Sequence, residues 1–283
     1  IVTTKVSAPE RISDYYEYDI FVLAQKKTGT YTTKKIGNNF TLTSSPKVSA
    51  TATKLVKAIQ VYAPKYKEIL GASLPNRVAI VVTPIRYKLR QYEVEAVQIS
   101  NNIVLLDQES FNSKIPDLFR KKILIHELAH VAVGNAGLFR KEPYYARWFD
   151  EGLAVFFEQY ISDNYLHRGL SAEKIRKDSL GYQKLTPDET IKEYKNYFDY
   201  GVIINNDKQT VSNTYNHAGL IFYNLHLKNK NYIPDLLSKL RGTPTAGACT
   251  TCDSDNIVQI LTIMTSLSKD DILYPYDKIL KDN

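Results

Sequence analysis

The chain has 283 residues, 43% of them hydrophobic and 24% charged, with 37 basic against 30 acidic side chains. This mixture excludes a disordered chain, and the longest apolar runs fall well short of the ~20 residues that a membrane span needs. The lysines come in scattered pairs, Lys26-Lys27, Lys34-Lys35 and Lys121-Lys122, interleaved with acids. That is the pattern of a solvated surface rather than a nucleic-acid footprint.

The chain opens on Ile1-Val2 without an initiator methionine, so residues upstream of it are expected. Residues 16–24 alternate in the period of a half-buried strand and end in a polar, glycine-containing stretch at 26–39. A further strand is expected at 40–43. Leu55, Val56, Ile59, Val61, Tyr62 and Ile69 fall at helical spacing within 49–70, a stretch closed by Gly71. Strands follow at 77–83, 92–99 and 102–106, the last two joined by the turn residues Asn101-Asn102.

From Pro116, which suits a helix's first turn, the pattern becomes helical. An apolar helical stretch covers 118–133 and ends at Gly134-Asn135. Thr186-Pro187-Asp188-Glu189 is a capping box with proline at the first helical position, and helices are expected at 211–228, 233–240 and 256–267. Strands first and helices afterwards predict an α+β chain: a strand-rich part with one helix over 1–135, then a helical part over 136–283. The two cysteines, Cys249 and Cys252, lie in a Gly/Thr/Pro-rich stretch and cannot build a four-cysteine zinc site. We read them as a local disulfide or an inert pair. An even cysteine count and the sequon Asn39-Phe40-Thr41 point to a secreted protein.

The chemistry concentrates in His126-Glu127-Leu128-Ala129-His130. Residues four apart share one face of a helix, so both imidazoles can aim at one point as metal ligands. Glu127, turned by about 100° from His126, can reach a metal-bound water without being a ligand. Two histidines on a buried helix can equally be hydrogen-bonding core residues. The sequence that follows weighs against this, because Trp148-Phe149-Asp150-Glu151-Gly152-Leu153-Ala154 brings an acid after 20 intervening residues. Two histidines and one glutamate make the open three-ligand set of a catalytic zinc. Glu158 lies two turns beyond Glu151, where it is either an acceptor for the outer N–H of a zinc-bound histidine or a solvated acid. His167 and His226 have no metal-spaced partners and read as structural.

From His126 to Tyr160 the sequence resembles the gluzincin metallopeptidases, and 148–158 is similar to the Trp-x-x-Glu-Gly-x-Ala stretch of their aminopeptidase and leukotriene hydrolase branch. The resemblance implies zinc held by His126, His130 and Glu151, Glu127 as general base, and a thermolysin-like architecture acting on a peptide or protein. It also implies a tyrosine donor to the oxyanion. Tyr215, 64 residues past Glu151, stands at a similar interval to the branch's own tyrosine, with His217 as competitor. Two residues apart on a helix, these side chains face different ways.

The chain departs from that branch upstream. Where its aminopeptidases carry Gly-x-Met-Glu-Asn, whose acid grips a free amino terminus, this chain has Glu95-Ala96-Val97-Gln98-Ile99. A neutral Gln98 does not pair with an ammonium group as a carboxylate does, so endopeptidase action is expected over aminopeptidase action. The same strand can still bind a peptide by edge pairing. A zinc-holding binding or adhesion protein without turnover is the alternative from another class.

Overall fold

The computed structural model describes residues 2–4, 22–24, 31–83, 85–89, 92–93, 96–100, 102–111, 115–138, 146–166, 187–194, 208–241 and 253–273. Cys249, Cys252, His167 and Thr186 lie outside them. The chain divides into two compact units, residues 1–66 with 73–135 and residues 67–72 with 136–283.

In the first unit the strands are β1 (Val2–Thr4), β2 (Val22–Ala24), β3 (Tyr31–Ile36), β4 (Phe40–Ser44), β5 (Val78–Thr83), β6 (Ile85–Leu89), β7 (Tyr92–Glu93), β8 (Ala96–Ser100) and β9 (Ile103–Asp107). Six of them form one sheet in the order β1-β3-β4-β5-β9-β8, parallel at β4/β5 and β5/β9 and antiparallel elsewhere. β2, β6 and β7 make a separate antiparallel ribbon. The register sets Lys34, Leu42, Ile80, Val104 and Gln98 in one row across the sheet, hence on one face. Leu42, Ile80 and Val104 are completely buried there.

Helix α1 (Pro46–Ile59) packs on β3 and β4. Its inner stripe of Val48, Ala52, Leu55, Val56 and Ile59 is buried, at the three-and-four spacing of an amphipathic helix. Helix α2 (Asp117–Asn135) packs against α1, β8 and β9. Backbone N–H groups of Phe119 and Arg120 donate to the Pro116 carbonyl, and Asp117 pairs with Arg120 and Lys121 across the first turn. An acid there also meets the positive end of the helix dipole.

Three local expectations are corrected. The polar stretch at 26–39 contains β3, a strand because Tyr31 and Ile36 bury at its ends while Thr32, Thr33 and Lys34 are half-buried. The stretch expected as helix through 70 is helical throughout and closes at Gly71, but it is not one regular helix. Helix α1 ends at Ile59 and the chain continues through a 3₁₀ turn, Gln60–Tyr62, an α-helical turn, Ala63–Lys65, and a π-helical turn, Tyr66–Leu70, and Val61 is 62% exposed instead of in the core. The single strand expected at 92–99 is two, because β7 pairs with β6 whereas β8 pairs with β9.

In the second unit the helices are α3 (Arg147–Tyr165), α4 (Pro187–Tyr194), α5 (Lys208–Lys228), α6 (Tyr232–Arg241), α7 (Ser254–Thr265) and α8 (Lys269–Leu273). The α3/α5 pair forms its centre. A β-carbon on Gly152 would lie 2.8 Å from the Ala218 carbonyl oxygen, and one on Gly219 2.5 Å from Val155 Cγ1, so each helix places a glycine where the other comes closest. Trp148 stacks on Phe222 at 6.0 Å, and its indole N–H donates to Ser254 Oγ at 3.0 Å. That bond satisfies a fully buried donor and ties α3 to α7. Strands in the first unit and only helices among the described residues of the second make the chain α+β. Among the described residues no helix is long and apolar enough to cross a membrane.

Candidate metal centre

Helix α2 carries His126, Glu127 and His130. Its C-terminal half is buried continuously from Leu128 to Gly134, so the helix is seated on several sides at once. The Tyr66 hydroxyl donates to the Ile125 carbonyl at 3.1 Å and fixes the turn just before His126. Tyr66 is fully buried, and burial pushes its pKa well above the ordinary phenol value, so it stays a neutral donor.

The four-residue spacing brings the two imidazoles together. Their Nε2 atoms are 3.2 Å apart, with the rings edge to face at 78°. Two ring nitrogens aimed at one point need a proton or a cation between them. His130 is buried and His126 half-buried. Glu151, on the first turns of α3, is only 5% exposed. One donor atom from each of His126, His130 and Glu151 lies within 4.8 Å of the other two. The donor set of two nitrogens and one oxygen, with thiolates absent, fits a zinc ion with an open position.

Glu127 is half-buried, and its Oε2 accepts the backbone N–H of Gln98 at 2.7 Å. Gln98 lies on β8, the last strand of the sheet order, opposite Val104 of β9. Its N–H points to Glu127 instead of into the ladder. What touches Glu127 is therefore Gln98's main chain, which residue-type reasoning does not reach.

Tyr215 lies on α5, half-buried, one turn before Gly219 and so on the ridge that meets α3. Contacts between the two helices advance in the same sense: Gly152 with Ala218, Phe156 with Tyr223, Tyr160 with His226. This places Tyr215 level with the early turns of α3, where Glu151 sits. His217 is fully buried elsewhere, hydrogen-bonded to the Leu273 backbone of α8. Burial lowers its pKa to about 3 against the opposing pull of that bond, so the ring is neutral. Glu158 is half-buried on α3. His226 is buried against Phe156 and Tyr160 at 5.3 and 4.9 Å, and its pKa is lowered by burial and then by Lys230. It is the core histidine that the sequence reading expects.

Gly152, quoted in the motif without a role, and Gly219, outside it, are the packing residues of the α3/α5 contact. The available signal was a glycine beside the acid inside a helix, a choice that costs about 1 kcal/mol against alanine and so calls for a packing reason.

Residues 122–244 match a family of proteins of unknown function, DUF1570. No curated protein matches. Among solved structures, native leukotriene A4 hydrolase from Saccharomyces cerevisiae aligns with a TM-score of 0.52 and 14% identity, over 86% of this chain and 39% of that one. The yeast enzyme in complex with bestatin aligns with a TM-score of 0.51 and 14% identity, over 87% and 39%. The M1 zinc metallopeptidase from Deinococcus radiodurans aligns with a TM-score of 0.50 and 11% identity, over 87% and 50%. The chain shares their fold. It spans half or less of the length of these structures, and identity this low carries the architecture alone.

Proposed function

We propose that this protein is a zinc-dependent peptidase of the gluzincin type, with a thermolysin-like architecture, that cleaves within peptide chains. The observation that carries this reading is the convergence of His126, His130 and Glu151 on one point, with an acid that is not part of that set, Glu127, next to His126 in sequence. His126, His130 and Glu151 would hold the ion. When bound, zinc polarises the scissile carbonyl and lowers the pKa of a coordinated water.

The chain's own residues do the rest. Glu127 takes a proton from water and later delivers it to the leaving amine, held for both transfers by the Gln98 N–H. The Tyr215 hydroxyl donates to the oxyanion of the tetrahedral intermediate. Glu158 accepts the outer N–H of a ligand histidine. The edge of β8 around Gln98 receives the substrate main chain as an added strand. Gln98 carries no charge to grip a substrate's amino terminus, which supports internal cleavage. The likeness to zinc metallopeptidases supports the reaction class.

The test is Glu127→Gln, with metal content and hydrolysis of a quenched peptide library measured on the same preparation. The variant should hold one zinc per chain and lose activity by a factor of about a hundred to ten thousand. Full activity in that variant, or no zinc in the native protein, overturns the reading. Zinc without hydrolysis in the native protein leaves the non-catalytic binding protein as the answer.

A further inference from the structure

The chain's net charge is not spread evenly. Between Tyr31 and Tyr66 stand six lysines, at 34, 35, 47, 54, 57 and 65, and no acid. Removing those six from 37 basic residues leaves 31 against 30 acids elsewhere, so this stretch accounts for nearly all of the +7. The interleaving of basic with acidic residues noted above therefore does not hold around Lys34-Lys35.

The structure gathers several of these charges on one surface. Lys47, Lys54 and Lys57 are all exposed on the face of α1 opposite its buried stripe. They span ten residues, about 15 Å along the axis, less than two Debye lengths at physiological salt. Lys34 reaches the flank of the same helix, with its Nζ donating to Ser49 Oγ at 3.0 Å. At the C-terminal end the ridge continues into Val61, 62% exposed, followed by half-buried Tyr62 and exposed Pro64.

We infer that this face docks the protein on an anionic lipid bilayer. Lysines are point charges suited to a diffuse layer of phosphate headgroups, each worth about a fivefold gain in affinity near such a surface. An apolar tip beside them adds what a bilayer, and not a polyanion in water, rewards: Val61 leaves water for the acyl boundary. The exposed face of α1 has no arginine, asparagine or histidine to read base edges, which disfavours nucleic acid. The buried stripe of α1 stays in the core, so the helix lies on the surface and does not insert.

The experiment is co-sedimentation of the full chain with vesicles of phosphatidylglycerol in phosphatidylcholine, against phosphatidylcholine alone, at low and physiological salt. The anionic vesicles should carry the protein down and the neutral ones should not. Lys47→Glu/Lys54→Glu/Lys57→Glu should weaken binding about a hundredfold or more, and the milder Lys→Gln triple variant should weaken it less. An unchanged thermal melt shows that both variants fold. Val61→Ser should reduce the part of the binding that survives at high salt. Equal sedimentation of native and charge-reversed chains would sink the proposal. So would binding to duplex DNA by a chain that ignores both vesicles, which would make this a nucleic-acid surface.

Discussion

Glu127 and Gln98, 29 residues apart in sequence, are joined by a 2.7 Å hydrogen bond from a strand's main chain to a helix's carboxylate. The bond exists because Gln98 sits where β8 turns that N–H away from β9. If Glu127 is the general base, its aim depends on an amide hydrogen and not on a side chain. Gln98→Ala keeps that hydrogen and should leave kcat unchanged. Gln98→Pro removes it at an edge position, where proline is tolerated. A hydrogen bond to a charged group is worth about 1.5–3 kcal/mol, so kcat should fall roughly ten- to a hundredfold with zinc content unchanged. A proline variant with full kcat would show that the bond does not position the base.

The α3/α5 crossing makes a second prediction. A methyl group at position 219 would sit 2.5 Å from Val155 Cγ1, far inside van der Waals contact. Alanine is the better helix former by about 1 kcal/mol, yet overpacking costs about 1–3 kcal/mol, so Gly219→Ala should lower the unfolding midpoint. In a Val155→Ala background the clash partner is gone and the same substitution should become neutral or stabilising. Urea melts of the four proteins measure the coupling. If Glu151 is a zinc ligand as proposed, zinc retention should follow the same order, because α3 carries it.

The legible parts of this molecule were those governed by local periodicity. His126 and His130 could be paired on paper because a helix places residues four apart on one side, and Glu151 because its neighbours formed a helical motif. Strand β3 was illegible because threonines and lysines fill it, and only the ends, Tyr31 and Ile36, bury apolar surface. The exposure of Val61 depends on the 3₁₀ turn at Gln60–Tyr62, a local change of helical period that the apolar spacing through Ile69 does not register. The Gln98–Glu127 bond depends on which way one N–H points, and that is set by pairing with β9, not by residue type.

The histidine at 217 should make stability depend on pH. Its pKa in the folded chain is about 3, below the ordinary 6.5, so the unfolded chain binds one more proton between those values. Stability from this group is therefore complete above about pH 6.5 and is lost as pH falls toward 3, by up to roughly 1.4 kcal/mol per pH unit. His217→Gln keeps a donor for the Leu273 carbonyl but does not titrate. Denaturant melts from pH 7 to pH 4 should show a shallower decline for the variant, and identical slopes would mean that the ring is charged in the folded chain.

Tyr215 and His217 separate by their readouts. Tyr215 stands on the α5 ridge that meets α3, whereas His217 is buried against α8. Tyr215→Phe removes only a hydroxyl, so folding and zinc content should be preserved. Losing one oxyanion donor costs about a hundred- to a thousandfold in kcat, because the interaction strengthens only as charge develops on the carbonyl oxygen. KM should hardly move, since the ground-state carbonyl gains little from that donor. His217→Ala should do the reverse, lowering the melting temperature while the surviving folded fraction keeps its kcat. A Tyr215→Phe protein with native kcat would remove the tyrosine from the chemistry and leave the oxyanion to another donor.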